Sequence, residues 1–424
     1  MKSNTMQFDG VEYPDALASD PDALGWMRGA PPPADRRIRF ADDRFLGFPQ
    51  LRWTLSHMRE LVPTANIRRG GRAPHALGPA DSALASAVDA LRFTDLHGAA
   101  STWSDSLAQT YTDGILVLHR GRRIYERYFG ALRPGHPHAC FSVTKSYVAA
   151  LALTLMHEGI LDERKPVPFY LPEMAGTAYA DASLRHLLDM QVGVSYSELY
   201  TDPNAEIWAY ARAGGLRPAR TGYDGPSNFY DFLKTLRKDG EHGRIFDYKT
   251  VNTDVLCWVM KRATGVGLAD MLSERIWSRL GCEEDAYLSV DSIGVEMGGG
   301  GLSASLRDLA LFGELVRREG DWQGDQILPA SVVASIRGGS DPAKFPASEY
   351  PLLPGYTYRD MWWVSHDDLG TIEARGIHGQ RLVVAPGADL VIARFASHPV
   401  ATSAANDPIT LPAFRALARF LMRQ

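Results

Sequence analysis

A serine and a lysine stand three residues apart in the segment Ser142-Val143-Thr144-Lys145. A serine hydroxyl is a weak nucleophile until a neighbouring base takes its proton, and a lysine amine can be that base. On a helix, a spacing of three places both side chains on the same face. The unpaired N–H groups of a first helical turn also favour negative charge that develops nearby. The segment therefore predicts a nucleophilic Ser142 activated by Lys145.

The residues that follow must hold this pair in place. From Val143 to Gly159 the sequence is apolar on almost every side, and Gly159 stands where a helix would end. A helix that is apolar all round is buried, and an unpaired lysine amine inside it would be costly. We therefore expect a buried central helix that opens at Ser142, with a polar site around Lys145.

Strand-forming segments stand towards both ends of the chain. Residues 114–118 and 123–129 flank a turn that contains Gly121, which predicts an antiparallel hairpin. Residues 381–385 and 388–395 predict two more strands, joined through a Pro-Gly turn. We expect one antiparallel sheet to which both ends of the chain contribute.

Helices are expected on the faces of this sheet. Helical periodicity covers residues 81–91 and 305–316. A closing helix is expected near the C-terminus, with Asp407 as its N-cap and Pro408 at its first position. Helices of this kind would cover the sheet and bury its apolar side chains.

Together these elements predict an α/β fold in three parts. Residues 1–75 lack sustained periodicity and are expected to form an extended N-terminal arm. Residues 76–160 and 290–424 are expected to form a lobe around the sheet, and residues 161–289 an inserted, mainly helical lobe. A cleft between two lobes is where a site usually forms.

Composition argues against several classes of function. The formal net charge of −5 argues against nucleic-acid binding, which needs clustered Lys and Arg. Cys140, Cys257 and Cys282 are far apart and form no CxxC pair, so neither a disulfide framework nor a zinc site is expected. The glycines from Gly298 to Gly301 are not followed by the Lys-Ser or Lys-Thr of a phosphate-binding loop. We expect a protein that needs no metal and no cofactor.

The N-terminal sequence and the apolar segments favour a cytoplasmic protein. Residues 1–9 contain no apolar segment of the kind found in a secretion signal. The most apolar stretch, residues 148–156, is much shorter than the roughly 20 residues that span a bilayer. We expect no membrane partner.

Four further segments follow the Ser-x-x-Lys motif in order, and they point to a family. They are residues 184–191, 246–256, 300–309 and 376–380. With Ser142 to Lys145, they resemble the serine β-lactamase and penicillin-binding superfamily, in particular class C β-lactamases, family VIII esterases and 6-aminohexanoate-dimer hydrolases. The resemblance extends from about Tyr111 to the C-terminus and implies a β-lactamase/transpeptidase-like fold.

Within this superfamily, the nylon-oligomer (6-aminohexanoate-dimer) hydrolases look most similar. The near-verbatim matches to their pattern are residues 111–113, 188–191, 252–256, 362–363 and 376–380. This resemblance implies the roles of individual residues.

By that resemblance, Tyr248 is the acid/base partner of Ser142, and the backbone N–H groups of Ser142 and Ile377 form the oxyanion hole. Tyr200 would be the mobile-loop tyrosine that closes over bound substrate. A tyrosine is a base near neutrality only if a cation such as Lys145 favours its phenolate. Either Lys145 or Tyr248 takes the first proton, and both routes lead to an acyl-serine.

Departures from the pattern concern the substrate. Thr250 occupies the third place of the class C Tyr-x-Asn motif, and residues 371–373 stand where a Lys-Thr-Gly strand is expected. Ala211 replaces the Asp that holds the substrate amine in efficient nylon-dimer hydrolases, and Gly299 replaces their helpful Asn. These differences weaken a β-lactam hypothesis and leave the preferred substrate open. The residues expected around the substrate are Tyr200, Ala211, Gly299, Trp363 and His378.

Several of these residues have a structural alternative. Tyr248 could be a core tyrosine, although its flanking match favours catalysis, and Tyr200 could equally pack in its tyrosine-rich region. His378 is expected to orient its strand rather than to transfer protons. Trp362 and Trp363 line the cleft or fill the core.

The sequence thus predicts a cofactor-independent serine hydrolase that cleaves small linear amides or esters through an acyl-serine. The alternatives are a family VIII-type carboxylesterase and a penicillin-recognising enzyme like a β-lactamase or a D-aminopeptidase. A catalytically silent binding protein on the same fold is disfavoured by the intact Ser142, Lys145 and Tyr248. A homodimer is one candidate for its assembly.

Overall fold

A seven-stranded antiparallel sheet lies at the centre of the computed structural model, which describes residues 5–8, 10–79 and 82–424. In spatial order its strands are Thr357–Arg359, Trp362–Val364, Ile372–Gly376, Gln380–Ala385, Leu390–Ala396, Thr112–His119 and Arg122–Tyr128. The last two form the predicted hairpin, and the two predicted C-terminal strands are also present. Leu390–Ala396 pairs with Thr112–His119, so distant parts of the chain share one sheet.

The two faces of this sheet bury different side chains because strand residues alternate in direction. Leu116 and Leu382 belong to the core cluster that includes the helix Val143–His157. Val117 and Val383 belong to a second cluster, with the C-terminal helix. The sheet is therefore apolar on both faces and covered on both.

The helix Val143–His157 is the predicted central helix. All of its residues from Val143 to Leu155 are buried. Gly159, just beyond the helix, has φ of 74°, a left-handed conformation that glycine adopts without strain. The prediction of a buried helix that opens at Ser142 is confirmed.

The other helices of five residues or more lie on both sides of the sheet and in the segment between its two parts. They are Ser82–Asp89, Trp103–Gln109, Leu184–Leu188, Glu206–Ala213, Phe229–Thr235, Val251–Thr264, Leu268–Leu272, the π-helix Ser273–Trp277, Leu306–Arg317, Ala330–Gly338 and Asp407–Leu421. Ser82–Asp89 matches the helix predicted over 81–91, of which residue 81 lies outside the described residues. Leu306–Arg317 begins at its N-cap Ser305, as the periodicity predicted.

A second, four-stranded sheet lies beside the central helix. Its strands, in spatial order, are Thr64–Ile67, Ala286–Ser289, Leu302–Ala304 and His138–Ala139. Other short strands pair in two-stranded antiparallel sheets: Thr5–Phe8 with Val11–Pro14, Arg92–Thr94 with Ala100–Thr102, and Asp321–Trp322 with Asp325–Gln326. The N-terminal residues also form short helices, Pro21–Leu24 and Leu51–Thr54. The three-part division of the chain stays a prediction.

The prediction that Asp407 caps the C-terminal helix is wrong. Asn406 occupies the cap position, and Asp407 is the first residue of the helix. Its carboxylate accepts hydrogen bonds from two buried guanidinium groups, those of Arg375 and Arg381. The side chain is therefore committed to the sheet and does not cap the helix.

Among the described residues, no helix is both long enough and apolar enough to cross a membrane.

Candidate active site

Ser142 lies at the N-terminus of the central helix, directly after a sharp turn of the chain. Phe141 has φ of 45°, a left-handed conformation that costs a non-glycine residue roughly 1–2 kcal/mol. Ser142 itself has helical angles, φ −64° and ψ −7°, and is half-buried. The turn leads from the strand His138–Ala139 into the helix and leaves the Ser142 residue partly exposed.

The amine of Lys145 lies directly beside the hydroxyl of Ser142. Its Nζ atom donates to Ser142 Oγ at 2.9 Å and to Thr250 Oγ1 at 3.2 Å, and it also donates to the carbonyl oxygen of Gly299. Lys145 is only 1% exposed. The predicted polar site around this lysine is present, and it is built from three separate segments of the chain.

Burial changes the protonation of Lys145. It lowers the pKa of Lys145 from 10.5 to about 8, while the negative charges of Glu198 and Asp254 oppose the shift. A charged amine loses hydration when it is buried, so the neutral form gains relative weight. A neutral amine is the form that can accept a proton from Ser142.

Tyr248 closes the other side of this site. The Nζ atom of Lys145 lies 5.1 Å from the centroid of the Tyr248 ring, and the ring stacks on Trp363 at 6.2 Å. Burial raises the pKa of Tyr248 well above 10, the charge of Glu198 adds to the rise, and the Ser142 hydroxyl opposes it. The neutral phenol is therefore favoured over the phenolate, which suits a proton donor.

The turn that carries Ile377 packs against the segment before Ser142. A Cβ atom on Gly376 would lie 2.7 Å from the carbonyl oxygen of Cys140, so this approach requires a glycine. Gln380 links this turn to the neighbouring strand. Its Nε2 atom donates to the carbonyl oxygens of Ile377 at 3.1 Å and of Ala396 at 2.6 Å. Its Oε1 atom accepts from the N–H of Ala396 at 3.0 Å.

Glu198 is a site residue that the sequence analysis missed. Its Oε1 atom accepts from the backbone N–H of Thr250 at 2.5 Å. Burial raises the pKa of Glu198, and the charge of Lys145 opposes the rise. No motif marks Glu198, because its partners are distant in sequence and the surrounding segment matches no periodic pattern.

Asp254 holds a backbone segment of the same site through hydrogen bonds. It accepts from the hydroxyl of Tyr210 at 2.7 Å and from the backbone N–H of Gly299 at 3.0 Å. Burial raises the pKa of Asp254 to about 6, and these two hydrogen bonds oppose the rise. Asp254 thereby holds the loop whose carbonyl at Gly299 accepts from Lys145.

This arrangement has the parts needed for acyl transfer. A hydroxyl, an amine, a phenol and a turn with a backbone N–H lie around one half-buried position. A family model described as Beta-lactamase matches residues 104–411. The chain belongs to the beta-lactamase family. It is a hydrolase of the serine β-lactamase-like superfamily.

Named relatives agree with this family. The chain is 33% identical over 390 residues to the 6-aminohexanoate-dimer hydrolase of Paenarthrobacter ureafaciens, a match that covers 92% of this chain and 91% of the relative. It is similar to a solved Bacillus anthracis protein provisionally named a 6-aminohexanoate-dimer hydrolase, with a TM-score of 0.81, 30% identity and coverage of 92% and 99%. A family VIII carboxylesterase shares the fold at a TM-score of 0.55 and 16% identity, with coverage of 74% and 96%. The predicted resemblance is confirmed.

The residues predicted to surround the substrate of this beta-lactamase-family chain differ in how far they are buried. Tyr200 is half-buried; burial raises the pKa of Tyr200 well above 10, and the charge of Glu198 adds to the rise. Trp363 is 8% exposed and stacks on Tyr248, so most of its ring supports that tyrosine. Ala211 is half-buried on the helix Glu206–Ala213.

Two other predicted substrate residues have a clear structural environment. Gly299 presents its carbonyl to Lys145, and a Cβ there would lie 2.4 Å from Thr250 Cγ2. His378 donates from Nδ1 to the carbonyl oxygen of His398 at 2.7 Å, and burial lowers the pKa of His378 to about 4. A neutral, hydrogen-bonded imidazole at this position agrees with the predicted role in orienting the strand.

Two sequence departures are also explained. Thr250 stands in place of the Asn of the class C motif, yet its hydroxyl still accepts from Lys145. Asn252, two residues further along, is fully buried and accepts from the hydroxyl of Tyr179 at 3.0 Å. The threonine therefore belongs to the site and the asparagine to the core.

Proposed function

We propose that this hydrolase cleaves small linear amides or esters through an acyl-enzyme on Ser142. The observation that carries the proposal is the 2.9 Å hydrogen bond between Lys145 Nζ and Ser142 Oγ. This contact lies in a buried environment that lowers the pKa of the amine to about 8. A base poised close to the working pH is an efficient acceptor of the serine proton.

In the proposed first step, Lys145 takes the proton of Ser142 while Oγ attacks the substrate carbonyl carbon. The direction of the pKa shifts supports Lys145 over Tyr248 as the first acceptor, because the phenolate of Tyr248 is disfavoured. The backbone N–H groups of Ser142 and Ile377 would donate to the developing oxyanion. Such donors typically contribute about 3 kcal/mol each to the transition state.

In the proposed second step, the tetrahedral intermediate collapses and the leaving amine or alcohol receives a proton. Tyr248 is suited to donate it, since its hydroxyl is near Ser142 and stays protonated at neutral pH. The phenolate is then reprotonated through Lys145. Water attacks the acyl-serine and returns the free Ser142 hydroxyl with the acid product.

The proposal also assigns substrate contacts. We assign Tyr200 to the wall that covers bound substrate, and Trp363 and His378 to the support of Tyr248 and of the oxyanion turn. The relative from Paenarthrobacter ureafaciens is named for the 6-aminohexanoate dimer; for this chain, the proposed substrate class is the wider set of linear amides and esters.

The test is a comparison of the wild type with Ser142→Ala on p-nitrophenyl butyrate and on a linear amide dimer. We expect Ser142→Ala to lose turnover of both, with circular dichroism unchanged, and a mass increase equal to the acyl group on the Ser142 peptide of the wild type. Retained esterase activity in Ser142→Ala would refute the proposal. The ratio of the two wild-type rates then separates an amidase from an esterase.

A further inference from the structure

Three arginines lie close together where the helix Glu206–Ala213 ends. Arg212 is in its last turn, and the backbone N–H of Arg217 donates to the carbonyl oxygen of Ala211 at 3.2 Å, so the chain folds back there. The charges of Arg220 and Arg217 help to lower the pKa of Arg212, although burial is the larger cause. We call Arg212, Arg217 and Arg220 the arginine rim.

The arginine rim carries more positive charge than its neighbours neutralise. The Nε atom of Arg217 lies 3.3 Å from Oδ1 of Asp43, and Asp43 is the carboxylate that opposes the shift of the Arg212 pKa. Arg220 is exposed. The buried Nε atom of Arg212 has no hydrogen-bond partner among the described residues. The guanidinium carbon of Arg212 lies 5.9 Å from the centroid of the Tyr223 ring. Because the residue as a whole is half-buried, its terminal N–H groups, and not Nε, are the donors that a ligand would meet.

Aromatic rings connect the arginine rim with the proposed catalytic residues. The guanidinium carbon of Arg217 lies 4.1 Å from the centroid of the Trp208 ring, and that ring meets Tyr200 edge-on at 5.9 Å. Tyr200 follows Glu198 by two residues, and the Glu198 carboxylate accepts from the backbone N–H of Thr250, whose hydroxyl accepts from Lys145. Trp208 and Arg212, four residues apart on one helix, share a face. A methylene chain placed along these rings would lie on apolar surface and end at the cations.

The acids beside this path already bind backbone N–H groups, and Glu206, on the same helix as Trp208, accepts from that of Ser197 at 3.0 Å. Glu198 accepts from the backbone N–H of Thr250, and the charge of Lys145 acts on it. Ala211, next to Arg212, adds no charge. The outer end of the path is therefore positive, and it would attract an anion and repel an amine.

We propose that the arginine rim binds a carboxylate at the far end of the substrate's acyl chain. Guanidinium groups match the planar carboxylate, and they bind it with paired hydrogen bonds. The substrate class would then be linear esters or amides of dicarboxylic acids. This inference rests on the proposed acyl-serine function, because the acyl chain is placed relative to Ser142 and Tyr248.

The test uses three p-nitrophenyl esters with six-carbon acyl groups that differ in the charge at the end of the chain. They are the anionic monoester of adipic acid, the neutral hexanoate and the cationic 6-(trimethylammonio)hexanoate. We expect kcat/KM for the anionic ester to exceed that for the cationic ester by about tenfold, the size expected for two partly exposed ion pairs. Added NaCl should reduce this ratio, since salt screens exposed charges.

Variants of the rim decide whether the arginines cause the preference. In Arg212→Gln/Arg217→Gln we expect the anionic-to-cationic ratio to fall to about one. In Arg217→Lys we expect a ratio between that of the wild type and this value, because the charge remains while the paired hydrogen bonds and the stacking on Trp208 are lost. The matched control is Arg318→Gln, which removes another guanidinium group that lies over a tryptophan, 5.9 Å from the Trp322 ring. A wild type that prefers the cationic ester, or a preference that survives the double substitution, would overturn the inference.

A binding measurement separates this inference from the proposed function. Ser142→Ala is titrated by calorimetry with adipic acid mono-anilide and with hexananilide, neither of which it is expected to cleave. Tighter binding of the mono-anilide, lost on adding Arg212→Gln/Arg217→Gln, supports the rim whatever the hydrolysis assays give. Equal affinities would overturn it, even if Ser142-dependent hydrolysis of the neutral hexanoate upholds the proposed function.

Discussion

The Nζ atom of Lys145 lies 2.9 Å from the Oγ atom of Ser142, at the start of the buried central helix Val143–His157. Burial lowers the pKa of Lys145 to about 8, whereas it raises that of Tyr248 well above 10. Near neutral pH the amine therefore loses a proton far more readily than the phenol does. The proposed mechanism consequently makes activity follow the neutral fraction of Lys145.

The first prediction concerns pH. Because protonated Lys145 cannot accept a proton, kcat/KM should fall as the pH decreases through about 8, the pKa of the buried amine. Glu198 stabilises the ammonium form and opposes the lowered pKa of Lys145. In Glu198→Gln the ammonium form loses that support, so the acid limb of the profile should move to lower pH. Stopped-flow measurement of p-nitrophenol release at constant ionic strength gives both profiles.

The matched control for this shift is Glu206→Gln. Glu206 accepts from the backbone N–H of Ser197 at 3.0 Å, and Ser197 is next to Glu198 in the chain. The variant Glu206→Gln is expected to leave the acid limb of the pH profile unchanged. An acid limb that does not move in Glu198→Gln would contradict the assignment of Lys145 as the titrating group.

The second prediction concerns the hydroxyl of Tyr248. In Tyr248→Phe the ring can keep its stacking on Trp363 at 6.2 Å, so the thermal midpoint should change little. Loss of the proton donor should lower kcat on amides by about 100-fold or more. The effect on p-nitrophenyl esters should be smaller, because p-nitrophenolate leaves without a proton. Tyr350→Phe, whose ring lies 5.3 Å from Trp363, is the control; an equal loss in both variants would point to packing instead.

Local spacing was sufficient to predict the central pair. Ser142 and Lys145 are one helical turn apart, and the apolar run after them predicted burial, so their contact followed from helix geometry. Both ends of the chain were expected to contribute to the sheet for a similar reason, since strand-forming segments flanking turns stood towards each end. Tyr248 and Ile377 came from resemblance, because nothing local marks a tyrosine or a backbone N–H as catalytic.

Long-range contacts of single polar side chains could not be read from the sequence. Glu198 meets the backbone of Thr250 across 52 residues of chain, and neither residue belongs to a periodic pattern that would place it. Asp407 was expected to cap a helix, a local role, but its carboxylate instead accepts hydrogen bonds from two buried arginines. Such partners are set by how whole segments pack, and charge pairing inside the core outweighs local preference.

The third prediction concerns the turn that presents Ile377. Gln380 is fully buried and binds the carbonyl oxygen of Ile377. Gln380→Met should loosen that turn and lower kcat by about tenfold, while KM changes by less than about twofold, because oxyanion contacts form mainly in the transition state. Butylboronic acid, which forms a tetrahedral adduct on a serine, should lose affinity by the same factor.

The control for this variant is Gln326→Met. The Nε2 atom of Gln326 also donates to two carbonyl oxygens, those of Glu319 and Leu328, but this contact lies outside the site. A comparable loss of boronate affinity in Gln326→Met, or none in Gln380→Met, would show that Gln380 does not position the oxyanion turn.

The fourth prediction concerns Gly299 and Ala211, the two residues that the resemblance predicted to replace an Asn and an Asp. A Cβ on Gly299 would lie 2.4 Å from Thr250 Cγ2 and 2.9 Å from Asp254 Oδ2. Gly299→Asn should therefore lower the free energy of unfolding by about 2 kcal/mol through overpacking. It should also lower activity, because Gly299 presents its carbonyl to Lys145. Urea unfolding and ester hydrolysis measure the two effects.

Gly176 provides the matched control, since a Cβ there meets no atom within 4 Å, and Gly176→Asn should change the unfolding free energy by less than about 0.5 kcal/mol. Ala211→Asp, at a half-buried position beside Arg212, should also be tolerated. A Gly299→Asn variant as stable as Gly176→Asn and more active on amide dimers would contradict this prediction, because it would show that Thr250 and Asp254 can move to make room for the side chain. The structure instead indicates that Asp can be introduced at residue 211 alone, whereas Asn at residue 299 requires Thr250 and Asp254 to move first.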